Sequence, residues 1–78
     1  MNIIKIVKLG DEIISYLYDE DLNFIESKSF SDNYTTNFYL QMLPKKFKIT
    51  KALVVVEDKR RNTVDILVAK DENSLFIH

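Results

Sequence analysis

The chain has 78 residues, 46% of them hydrophobic and 29% charged, with no cysteine, one glycine, one proline and a single histidine, His78. That is the profile of one folded globular domain, and it excludes disulfide scaffolds, thiol chemistry, cysteine-based metal sites and glycine-rich phosphate cradles. A formal net charge of −1 also excludes a global field drawing the chain to nucleic acid or membrane.

Residues 2–9 are dense in β-branched side chains and predict a first strand. Lys5 and Lys8 interrupt this segment before a signal-peptide core forms, and no apolar run approaches the length of a membrane span. Gly10-Asp11 supplies a turn, and residues 12–18 predict a second strand. Asp19-Glu20-Asp21 interrupts it, and residues 22–30 predict a third, with Leu22, Phe24 and Phe30 on one face. The short links imply an antiparallel meander.

Residues 31–43 carry two patterns. Tyr34, Thr36, Phe38, Leu40 and Met42 alternate with polar residues as a strand does. The end signals favour a helix instead: Ser31 as N-cap, Asp32 at the positive helix end, Pro44 stopping it at about Leu43, and Lys45 and Lys46 at the negative end. Asn33-Tyr34-Thr35 matches a glycosylation sequon, which reads as chance without a secretory signal. Ala52–Val56 is five apolar residues in a row and predicts a strand covered on both faces. Residues 57–62 form a charged turn, residues 63–69 pair back as a hairpin, and residues 74–77 add a short edge strand. The expected fold is α+β: a single domain, order β-β-β-α-β-β with that short last strand, mostly antiparallel, one helix on one face.

The carboxylates sit side by side in the chain, at Asp19-Glu20-Asp21, Glu57-Asp58 and Asp71-Glu72. Neighbouring acids in a turn point apart and stay hydrated, so they do not make an acid–base pair or a calcium loop. The order of elements over residues 2–58 resembles the opening half of the ribonuclease H-like fold. That resemblance implies acids in the first strand, on the helix and at the end of the fourth strand. Glu57 or Asp58 fits the last place. The first strand offers only Lys5 and Lys8, however, and the helix has no acid beyond Asp32, so nuclease activity is not expected.

Charge is segregated along the chain. Residues 45–61 hold seven basic residues against two acidic ones, a net +5, and residues 19–32 hold five acids against Lys28, a net −4. The candidate partner-binding residues are Lys45, Lys46, Lys48, Lys59, Arg60 and Arg61, together with Tyr16 and Tyr18, which share one face of the second strand. Tyrosine suits an interface because one end is apolar and the other polar.

These features predict a small protein-interaction domain without enzymatic activity and without cofactor or metal. The first two strands have more apolar faces than one helix covers, so a homodimer or another protein is expected on the free face or at an edge strand. The Asn, Ile, Lys, Asp and Tyr usage is that of AT-rich phages and mobile elements. It extends the expectation to an inhibitor of a host or defence protein, of the anti-CRISPR kind, acting in the cytoplasm. The alternative is a nucleic-acid-binding module using residues 45–61, with Lys59-Arg60-Arg61 gripping phosphates.

Overall fold

The computed structural model describes the backbone of residues 1–78 and every side chain except that of residue 72. The chain forms β1 (Asn2–Lys8), β2 (Ile13–Tyr18), β3 (Phe24–Phe30), α1 (Asn33–Phe47), β4 (Ala52–Asp58) and β5 (Thr63–Ala69), followed by a 3₁₀ turn at Glu72–Ser74. The five strands make one sheet in the order β3-β2-β1-β4-β5. Three neighbouring pairs are antiparallel, and β1–β4 is parallel. The fold is the expected α+β arrangement. The parallel pair follows from the helix: α1 carries the chain from the β3 edge back across the sheet, so β4 arrives beside β1 running in the same direction.

Alternation assigns the two faces of the sheet. Ile4 and Ile6 of β1, Ile13 and Leu17 of β2, and Ala52 and Val54 of β4 are buried on the face that α1 covers with Leu40 and Leu43. Ile4 lies between its register partners Leu17 and Val54 at the centre of this core. Burying side chains of this kind stabilises the fold by about 2 kcal/mol each.

The turn between β2 and β3 is organised by Asp19. Its carboxylate accepts from the backbone N–H groups of Asp21 at 2.8 Å and Asn23 at 2.9 Å. Leu22, expected in the strand, sits in this turn at φ 67°. A bulge then shifts the β2–β3 register, pairing Leu17 with Glu26 and Tyr18 with Phe24. The extra residue turns Phe24 to the face opposite Phe30, so the expected common face of Leu22, Phe24 and Phe30 does not form.

The helix begins one residue later than expected. Asp32, not Ser31, is the N-cap, and its Oδ1 accepts from the Thr35 N–H at 2.7 Å. It also ends one turn later, at Phe47, with Pro44 inside it. Proline removes one N–H from the helix ladder but accepts a helical φ. Its own carbonyl takes the Ile49 N–H at 3.0 Å, and Lys48 closes the end in the left-handed conformation. Burial of Pro44 and Ile49, and of much of Phe47, offsets the lost bond.

Glu57 and Asp58 belong to β4 and not to the turn. The strand packs on the core with one face only: Ala52 and Val54 are buried, and Leu53 and Val55 on the other face are partly buried. The final segment is not a strand. After the 3₁₀ turn it folds back over the helix-side face, where Leu75 and Ile77 are buried. Asn37 clamps it, donating to the Ile77 carbonyl at 2.8 Å and accepting from the Ile77 N–H at 2.6 Å. Side chains thus satisfy a backbone that a strand ladder would otherwise satisfy.

Candidate interaction surfaces

The register stacks the uncovered sheet face into three rows that run across the strands. The first row is Phe24, Tyr18, Ile3, Leu53 and Val68, apolar or aromatic on all five strands. Tyr18 and Phe24 meet edge-to-face with ring centres 6.0 Å apart. The second row is Ser27, Tyr16, Lys5, Val55 and Ile66, and the third is Ser29, Ile14, Val7, Glu57 and Val64. Lys5 and Glu57 are the charged residues of these rows, and they pair with each other at 3.7 Å. Five strands spaced about 4.8 Å apart make a platform roughly 20 Å wide. The sheet's other face is where the helix and the C-terminal segment lie, so nothing among the described residues covers the platform. Small monomeric proteins rarely expose a contiguous apolar patch of this extent.

A second apolar feature lies on the outer side of α1. Tyr34, Phe38 and Met42 are 82%, 62% and 54% exposed and recur every four residues, forming one ridge. Lys45 and Lys46 flank its C-terminal end and line a shallow hollow with Phe38 and Met42. The helix is therefore apolar on two sides. Thr36, Leu40 and Leu43 face the core, and the ridge faces solvent.

The basic residues do not form one patch. Lys45, Lys46, Lys48 and Lys51 precede β4, and Lys59, Arg60 and Arg61 follow it. A seven-residue strand holds the two groups about 20 Å apart. Several are also neutralised: Lys46 pairs with Glu26 at 3.6 Å, Lys59 with Glu57 at 2.6 Å, and Arg60 with Asp58 at 3.5 Å. Arg60 further donates to the Gly10 carbonyl at 3.5 Å, tying two turns together. Among the described residues, Lys45, Lys48, Lys51 and Arg61 have no ion pair. Of the candidates read from the sequence, Tyr16 and Tyr18 come together on the platform, and Lys45 and Lys46 come together at the ridge.

The acids have structural work. The Asn23 backbone N–H lowers the Asp19 pKa, with further bonds from the Asn23 side chain and the Asp21 N–H. Glu26 is held low first by the Tyr39 hydroxyl and then by Lys46. Tyr39 is pushed up by burial and by that same carboxylate. Burial is the largest influence on Asp58 and raises its pKa, but bonds from the Arg60 and Arg61 N–H groups and the Arg60 guanidinium together outweigh it. Lys8 is the parallel-register partner of Asp58. A cation therefore stands on β1 beside the acid that ends β4. Among the described residues no three His, Cys, Asp or Glu side chains converge as a metal site.

Comparison of the chain with protein families, characterised proteins and solved structures finds no match. Among the described residues, no helix is long and apolar enough to cross a membrane. Sequence reasoning found Tyr16 and Tyr18 and the surplus apolar face of the first two strands, but missed the contributions of β3, β4 and β5 to the platform and the whole ridge. The signal for the ridge was present in the four-residue spacing of Tyr34, Phe38 and Met42, which the competing two-residue alternation obscured.

Proposed function

We propose that this chain is a small protein-interaction domain that acts by shape at its open sheet face and performs no chemistry of its own. One observation carries this reading: an unbroken apolar row spans all five strands on a face that nothing among the described residues covers. The partner is another protein with an apolar surface that docks over Tyr16, Tyr18 and Leu53. The compositional bias extends the reading to an inhibitor that masks a host or defence protein in the cytoplasm, in the manner of an anti-CRISPR. The nucleic-acid alternative draws less support, because the seven cations divide between the two ends of β4.

Site-specific photo-crosslinking tests the proposal. A photoreactive residue at Tyr18 is compared with one at exposed Glu20, in lysate of a candidate host. The expected result is one host protein captured from position 18, not from position 20, and lost when Leu53→Lys is added. Equal capture from both positions, or capture indifferent to Leu53→Lys, refutes the platform as the binding surface.

A further inference from the structure

The two edges of the sheet differ in kind. On β3 the outer edge carries Glu26, Ser27, Lys28 and Ser29 and is broken by a bulge, which is how natural sheets discourage further pairing. On β5 the sequence Val64-Asp65-Ile66-Leu67-Val68 holds one charge and is exposed along its length, and the whole strand, Thr63–Ala69, pairs with β4 in seven unbroken steps. Ile66 at its centre is 67% exposed. An apolar, regular, unguarded edge of this kind is a template for another strand.

We infer that the occupant is β5 of a second copy, paired antiparallel about a two-fold axis through Ile66. Symmetry selects the register. A two-fold axis perpendicular to the sheet keeps like faces together, so Thr63 opposite the partner copy's position 69 is the one arrangement that pairs all seven residues. In that register Ile66 meets its own copy, and Val64 meets position 68 of the other chain. Both pairs lie on the platform face, where apolar cross-strand pairs stabilise a sheet. Asp65 falls opposite Leu67 of the second copy. A shift of the pairing by two residues toward the β4–β5 turn sets Asp65 against itself and is disfavoured.

Charge at the strand ends agrees with this register. Arg61 lies in the turn two residues before Thr63, and Asp71 lies in the bend two residues past Ala69, so a base from one copy and an acid from the other fall at the same end of the paired strands, twice by symmetry. Arg61 is exposed and, among the described residues, has no ion pair within its own chain. The product is a ten-stranded sheet with both helices on one side and a platform of doubled width. A contact one strand long buries less than about 1,000 Å² in total, so the dimer is weak and reversible, with a dissociation constant on the order of 10 µM.

The chain has no cysteine, so single cysteines report the register directly. Antiparallel partners lie about 5 Å apart at Cα, within the span of a disulfide. Under mild oxidation Ile66→Cys crosslinks to a dimer. Val64→Cys and Val68→Cys do not crosslink singly, because each is about 13 Å from its own copy, and the Val64→Cys/Val68→Cys double variant does. Sedimentation of the unaltered chain from about 2 to about 200 µM shows mass rising from 9.2 kDa toward twice that value. Ile66→Lys, at an exposed position, keeps the native circular dichroism and stays monomeric throughout. Equal crosslinking at positions 64, 66 and 68, or a single species of 9.2 kDa at the highest concentration, overturns the proposal. Either result leaves the capture experiment at Tyr18 untouched, so the two readings fail separately.

Discussion

Asn37→Ala tests how the C-terminal segment is held. Burying Leu75 and Ile77, 2% and 4% exposed, contributes about 4 kcal/mol. Ordering the last four residues costs about 4–6 kcal/mol, so apolar contact alone leaves the segment near balance. The two bonds from Asn37 to Ile77 add about 2 kcal/mol and decide the outcome. Asn37→Ala therefore releases the segment and lowers stability by about 2 kcal/mol, which moves a urea midpoint down by roughly 1–2 M for a domain this small. Hydrogen exchange at the Ile77 amide rises toward the unprotected rate, while exchange at Ile4 and Val54 follows global stability. Ile77→Ala acts on the same docked state, so the double variant loses less than the sum of the singles. A midpoint shift below about 0.3 M with Ile77 still protected would show that packing, with the bond from the Lys8 ammonium to the His78 carbonyl, holds the segment without Asn37.

Leu17→Ala, at a fully buried position, costs about 3 kcal/mol in urea unfolding, whereas Phe38→Ser on the exposed ridge stays within about 0.5 kcal/mol. Leu22→Gly relieves a left-handed backbone at an exposed leucine and raises stability by up to about 1 kcal/mol, read from the same midpoints. Asp19, Glu26, Asp32, Glu57 and Asp58 all have lowered pKa values. A carboxylate whose folded pKa is depressed contributes stability above its unfolded pKa and loses it as pH falls through the folded one. The midpoint is therefore level from about pH 6 to 8 and drops below about pH 4. Asp58→Asn shallows that acid limb, and an unchanged limb would exclude Asp58 from it.

The strands were legible where β-branched residues mark them, and 63–69 matches β5 end to end. Their boundaries strayed where charge was read as a turn. Glu57 and Asp58 stay in β4 because Lys5, Lys59 and the Arg60 backbone give them partners that no local pattern announces. The bulge that reverses Phe24 and the positive φ at Leu22 also leave no sequence signature, because neither residue is glycine or asparagine. Pro44 misled because the burial that sustains the helix beyond it comes from tertiary packing. The surplus of apolar strand faces was legible and gave the open platform. Which cations would converge was not, since that depends on which end of β4 each one occupies.

The parallel union of β1 and β4 has a consequence for how the molecule comes into being. Asn2 finds its partner at Ala52, fifty positions later in the chain. Both antiparallel ribbons, β1–β2–β3 and β4–β5, form from near neighbours, but neither has a complete core until this distant seam closes. On a nascent chain the first ribbon must wait with the Ile3–Val7 edge unsatisfied. The rate of maturation is then governed by that one closure. A circular permutant that joins the original ends and opens within the α1–β4 link brings Ala52 ahead of Asn2, roughly halves their separation along the chain and speeds assembly, whereas opening in the β4–β5 turn leaves that separation unchanged.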